Sequence, residues 1–152
     1  MLDIAASSIQ YPVSSTQHPA MEDFTIGDIL RATKGQLVKG ESCSVVSGIS
    51  TDSRTLEKDD LFVTLIGERF DGHDFIVQAV SRGAMGVLAS RDVEASSVKA
   101  LIMVEDTLQA LGDIARSYRS RFSIPVVGIT GSNGKTTTKD MTSSVLSQRY
   151  SV

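Results

Sequence analysis

The stretch "PVVGITGSNGKTTTKD", residues 125–140, joins a short apolar run to three glycines and to a lysine that directly precedes three threonines. That combination is suited to holding phosphate. Glycines let the backbone turn tightly enough for successive N–H groups to face phosphate oxygens, and the helix that follows adds its positive N-terminal end. The lysine then reaches the β- and γ-phosphates, and the next hydroxyl holds magnesium. Gly131, Ser132, Asn133 and Gly134 are the candidate cradle. Lys135 is the candidate phosphate contact and catalytic cation, Thr136 the catalytic hydroxyl and magnesium ligand, and Thr137 a further nucleotide contact. The strict pattern G-x-x-x-x-G-K-[ST] misses by one place, since Ile129 stands where the first glycine belongs and the glycines fall at Gly128 and Gly131. A plain turn would account for "GSNG", but not for the apolar run before it or the "KTTT" after it.

Such a loop has to be framed by a strand and a helix. The continuous apolar run 126–130 reads as a buried, parallel-type strand, and a helix is expected over about 135–148. Ahead of them, "DTLQALGDIARSYRSRF" reads as a helix capped by Asp106 or Thr107, with Leu108, Leu111, Ala115, Tyr118 and Phe122 on one stripe. Helix, strand, loop and helix are the opening of a P-loop nucleotide-binding sheet, a fold that needs further strands. Upstream, "TIGDILRATKG" offers Thr25 as N-cap with Asp28 three residues on, a helix over residues 26–33, and Gly35 as a stop. "SVVSGIS", "LFVTLIG", "MGVLAS" and "ALIMVED" read as strands, and "HDFIVQAVSRGA" as a helix with Phe75, Ile76, Ala79 and Val80 on one face. The expected fold class is therefore α/β: a small N-terminal α/β domain over 23–105, then the start of a P-loop domain over 106–152, truncated relative to a complete enzyme. Residues 1–22 read as a loose leader that includes His18, with Met21 as an alternative start.

Bulk properties narrow the class of function. A net charge of −3, 5% aromatic residues and no Trp argue against a nucleic-acid partner, which would call for a basic face or stacking rings. No apolar run reaches the roughly 20 residues that span a bilayer, so no membrane role is expected. The single cysteine, Cys43, forms no intrachain disulfide and fits a cytoplasmic setting.

The variant T-G-[ST]-N-G-K-[ST]-[ST], present at 130–137, resembles the ATP-binding loop of the Mur ligase family, which also includes folylpolyglutamate synthetases. Residues 50–90 are similar to the UDP-binding domain shared by the two Mur ligases that add the third and the last residues of the peptidoglycan stem peptide. In that family the D-S-R segment, here Asp52, Ser53 and Arg54, and the D-G-H segment, here Asp71, Gly72 and His73, lie in loops around the uridine end of the substrate. By themselves they read as a turn with a solvated arginine and a helix cap. Within the family, Lys139 and Asp140, together with "FTIGDILRATKGQL", resemble the branch that adds D-alanyl-D-alanine; the branch adding the third residue more often carries alanine and an aromatic there.

The resemblance implies ATP and Mg2+ as cofactors and UDP-MurNAc-tripeptide and D-alanyl-D-alanine as substrates of a monomeric enzyme. A carboxylate attacks the γ-phosphoryl of ATP, and the amine then displaces phosphate from the acyl phosphate. It also implies that a magnesium-binding glutamate, a histidine, a carboxylated lysine and the dipeptide-holding domain belong to later sequence, so 1–152 alone is expected to be inactive. The alternatives are the third-residue ligase, a non-catalytic nucleotide-binding fragment, and a P-loop ATPase unrelated to ligation.

Overall fold

Thr25 and Asp28 start the first helix in the way their spacing predicts. In the computed structural model, which describes residues 24–94, 98–150 and 152, the Asp28 N–H donates to Thr25 Oγ1 at 3.2 Å and the Thr25 N–H donates to Asp28 Oδ2 at 2.8 Å. This reciprocal capping box satisfies two otherwise orphaned donors and opens α1, Ile26–Thr33. Lys34, at φ 56°, takes the left-handed C-cap position expected of Gly35. The leader reading of residues 1–22, with His18 and Met21, lies outside the described residues.

Five strands follow among the described residues: β1 Gln36–Lys39, β2 Ile49–Ser50, β3 Leu61–Val63, β4 Gly86–Ala89 and β5 Ala100–Met103. They form one sheet in the order β1-β5-β4-β3-β2, with β2 to β5 mutually parallel and β1 antiparallel at the edge. Side chains alternate across it, so Leu61, Val63, Leu88 and Ile102 face one side and Phe62, Val87, Ala89 and Leu101 the other. The first side packs against Phe24, Ile26 and Ile29 and against Ala110 and Ile114 of α3, Thr107–Arg119. The second packs against Ile76 and Ala79 of α2, Ile76–Ser81, which a 3-10 turn over Gly72–Phe75 introduces. Helices on both faces bury the central strands completely, which explains why β3 and β4 read as unbroken apolar runs.

Two features differ from the sequence expectation. The buried face of α3 is Thr107, Ala110 and Ile114, flanked by Leu111 and Tyr118, while Leu108 and Ala115 are exposed. Burying Thr107 lets its hydroxyl donate to the Thr64 carbonyl at 2.8 Å, and this turns the helix by about one position relative to its most apolar stripe. The compact unit also runs to Ser123 rather than ending at Glu105, because α3 closes its core. The Tyr118 ring meets Phe24 edge-on at 5.5 Å, and Arg121 lies over Phe24 while pairing with Asp28 at 2.6 Å.

A second unit runs from Ile124. The run 126–130 is not a strand, and Val126 and Val127 are 69% and 65% exposed. Extended backbone becomes a strand only when a neighbour takes its hydrogen bonds, and none does so among the described residues. The helix α4, Lys135–Leu146, follows the glycine loop and buries none of its residues.

Candidate functional site

The four parallel strands point the same way, so the segments after β2, β3 and β4 gather at one edge of the sheet. Ligands of open α/β sheets sit beyond that carboxyl edge. Asp52, Ser53 and Arg54 follow β2, and the segment leading to Asp71, Gly72 and His73 follows β3, the neighbouring strand. Pairing of β2 with β3 therefore brings the two motifs together, although about twenty residues separate them in the chain.

Between them lies a cavity of about 630 Å³ lined by Thr51, Asp52, Ser53, Arg54, Gly72 and Gln78, with Phe62, Phe70 and Phe75 supplying aromatic surface. Gly72 is buried against the chain after β3, where a Cβ would meet Leu65 N and O at 2.8 Å, so only glycine fits this wall. Ser53 is buried, and its hydroxyl donates to Gln78 Oε1 at 2.6 Å. Arg54 folds back onto Asp52, with Nε to Oδ1 at 2.9 Å and Nη2 to Oδ2 at 2.7 Å. Those side-chain bonds, with the Arg54 backbone N–H, hold the Asp52 carboxyl down at about 2. The guanidinium itself stays in solvent, and anions can compete for it.

Asp71 and His73 belong to the same loops, but their side chains turn inward and do not line the cavity. Asp71 Oδ1 accepts from the His73 N–H at 2.9 Å and from Nδ1 at 2.6 Å, while Oδ2 pairs with Arg91. The backbone bond from His73 leads in holding the Asp71 carboxyl below its ordinary range, opposed by burial and reinforced by the His73 ring and Arg91. At the other ring nitrogen, the Ser90 N–H donates to Nε2 at 3.2 Å, and Thr64 Oγ1 lies 3.1 Å away. Because Nε2 accepts from a backbone donor, the ring proton sits on Nδ1. His73 thus ties the loop after β3 to the end of β4, and Thr64 carries the network on to Thr107 of α3.

In the second unit, Gly134 occupies the N-cap of α4 at φ 76°, a left-handed geometry suited to glycine. Lys135 extends back over the loop, its Nζ donating to the Gly131 carbonyl at 2.5 Å. Gly131, Ser132, Asn133, Gly134, Thr136 and Thr137 are all exposed around the helix N-terminus, an arrangement able to receive an anion. No group of three or more His, Cys, Asp or Glu residues among the described residues could hold a metal ion. No helix among them is long and apolar enough to cross a membrane.

Residues 45–119 match the Mur ligase family, catalytic domain, a stretch running from just before β2 to the last residue of α3. The UDP-N-acetylmuramoyl-tripeptide–D-alanyl-D-alanine ligase of Bacillus subtilis is 45% identical over 130 residues, covering 84% of this chain and 28% of that protein. The chain belongs to the Mur ligase family. Among solved structures, a crystal structure of MurF from Acinetobacter baumannii superposes with a TM-score of 0.77 at 37% identity, over 86% of this chain and 28% of that one. The MurF ligase of Thermotoga maritima in complex with ADP gives a TM-score of 0.61 at 39% identity, over 68% of this chain and 24% of that one. The chain thus spans about a quarter of the length of the Mur ligases it matches.

Sequence reasoning missed Phe70, Phe75 and Gln78 as cavity residues. The helical spacing groups Phe75 with Ile76, Ala79 and Val80 on one face, yet Phe75 lies in the 3-10 turn and is 43% exposed beside the cavity. The available signal was the "RFDGHDF" spacing, which sets two phenylalanines on either side of the D-G-H segment, where both are exposed.

Proposed function

We propose that this Mur ligase chain supplies the uridine-nucleotide site and the ATP-phosphate loop of a ligase that joins D-alanyl-D-alanine to UDP-MurNAc-tripeptide. The observation that carries the reading is the aromatic cavity framed jointly by the D-S-R and D-G-H segments at the carboxyl edge of the sheet. A flat pyrimidine suits a cavity lined by Phe62, Phe70 and Phe75. Asp52 and Ser53 shape the polar wall, and Arg54 exchanges Asp52 for the diphosphate. Gly72 admits the ligand closely. Asp71 and His73 act from behind by fixing the loop that carries Phe70 and Gly72.

At the glycine loop, the N–H groups of Gly131, Ser132, Asn133 and Gly134 surround the ATP phosphates, with Thr137 beside them. Lys135 leaves the Gly131 carbonyl and neutralises charge on the γ-phosphoryl as the substrate carboxylate attacks phosphorus and ADP departs. The amine of D-alanyl-D-alanine then attacks the acyl carbon and phosphate leaves. The Thr136 hydroxyl is exposed and accepts or donates no hydrogen bond among the described residues, so it would be free to serve as a ligand of Mg2+. Magnesium, when bound, would supply charge neutralisation on the phosphates.

The test is a chimera in which this chain replaces the stretch it matches in the Bacillus subtilis relative. It is expected to form amide from UDP-MurNAc-tripeptide, Mg-ATP and D-alanyl-D-alanine with one ADP released per bond. A folded chimera that neither forms amide nor binds UDP overturns the reading.

A further inference from the structure

One contact in the cavity wall fixes the orientation of a side chain. Ser53 is only 4% exposed, and its hydroxyl donates to Gln78 Oε1. Flipping the Gln78 amide would put a donor where Ser53 needs an acceptor and strand a buried hydroxyl proton, so the flip is disfavoured. Gln78 itself is exposed on α2 and lines the cavity beside Phe75. Its Nε2 donors have no partner among the described residues. The cavity therefore presents, next to its aromatic surface, an amide whose oxygen is anchored to Ser53 and whose donors are available.

We propose that Gln78, oriented by Ser53, is the specificity-determining residue for the base: its amide donates to the carbonyl at position 4 of uracil. Cytosine carries an amino group there, so donor would face donor. The proposal rests on the uridine reading given above and adds which pyrimidine the site accepts and by which atom. Ser53 is a positioning residue in this scheme, since its hydroxyl is spent on Gln78.

The experiment titrates the chain with UDP and with CDP by calorimetry. The diphosphate is common to both, so the ratio of the two dissociation constants isolates the base. The wild-type chain is expected to prefer UDP by about tenfold or more, the scale of one matched against one mismatched hydrogen bond. Gln78→Glu keeps the acceptor for Ser53 but replaces the donors with a carboxylate oxygen, so the preference is expected to collapse or invert towards CDP. Ser53→Ala frees the amide to flip, and the ratio is expected to fall towards one. Circular dichroism of each variant, with Gln78→Met as a size-matched control, shows whether the fold survives; Gln78→Met is expected to lose discrimination while staying folded. Failure of the wild-type chain to bind either nucleotide overturns the uridine reading itself. UDP binding with a ratio unchanged in folded Gln78→Glu and Gln78→Met overturns the role of Gln78 alone.

Discussion

Replacing Ile114 by alanine tests whether α3 belongs to the first unit. Ile114 is fully buried and packs in the cluster that contains Phe24, Ile26, Ile29 and Ile102. Truncation to alanine removes three carbons, worth about 2.4 kcal/mol at roughly 0.8 kcal/mol per buried methylene. Neighbours close such a hole only in part, so the cavity left behind brings the expected loss to about 3–4 kcal/mol, inside the usual range for Ile→Ala. A unit of about 100 residues has about 5–15 kcal/mol in total, and each kcal/mol shifts its midpoint by about 4–8 °C, so the variant is expected to melt at least about 12 °C lower. Leu108→Ala is the matched control: Leu108 is 67% exposed, and its loss is expected to cost no more than about 0.5 kcal/mol. Urea unfolding followed by circular dichroism measures both. If Ile114→Ala cost no more than Leu108→Ala, α3 would not close the core, and the unit would end near Glu105.

The Asp28 carboxyl is held at about 2, below its ordinary 3.8; burial opposes the charged form, but the Thr25 backbone and side-chain bonds and Arg121 outweigh it. Because the folded value is depressed, the stability this group contributes is present above the unfolded value and is lost as pH falls through about 2. The stability gap between wild type and Asp28→Asn, measured by urea unfolding, is therefore expected to be flat above about pH 5 and to narrow towards pH 2; a gap that widened on acidification would refute the assignment. His73→Ala strands the Ser90 N–H and takes the ring bond from Asp71, and is expected to destabilise the first unit by about 1–3 kcal/mol and weaken UDP binding, with Mg-ATP affinity unchanged; equal losses for both nucleotides would contradict the separation of the two sites. Lys135→Ala, at an exposed side chain, is expected to leave the melting curve in place and to lower ligation by the chimera at least about a hundredfold, and retained turnover would remove the loop from catalysis. Hydrogen exchange is expected to be slow across β3, β4 and β5 and fast from residue 125 onward, where no backbone pairs in a sheet among the described residues and α4 buries none of its residues; uniform protection to the C-terminus would contradict that description.

Local signals were the most legible in the sequence. Thr25 and Asp28 fix α1 through their own reciprocal bonds, and the glycine loop was legible as a helix start because Gly134 and Lys135, contiguous in the chain, form the N-cap and first residue of α4. Buried parallel strands were visible as unbroken apolar runs because both their faces are covered. What escaped depended on partners distant in the chain. The edge strand β1, "QLVK", has no apolar alternation and exists only because β5 takes its hydrogen bonds. The run 126–130 shows the converse: apolar residues that pair with no strand among the described residues form no sheet. The face of α3 was misjudged because Thr107 is drawn inward by the Thr64 carbonyl, a contact spanning 43 residues. At the site, the two loop motifs were legible, but not the division between them: Ser53 and Gly72 form the cavity wall while Asp71 and His73 brace it from behind.

A titration of the 15N-labelled chain with UDP, followed residue by residue by NMR, tests the location of the nucleotide site most directly. A larger groove, about 900 Å³, lies at the other side of the sheet between Thr33–Gln36 and Asp113–Arg116, so the two regions can be told apart in one experiment. Shifts are expected at Thr51 to Arg54, Phe70, Gly72, Phe75 and Gln78. Shifts confined to the residues of the larger groove, or no shifts at millimolar UDP, would contradict a uridine-nucleotide site built by the D-S-R and D-G-H loops.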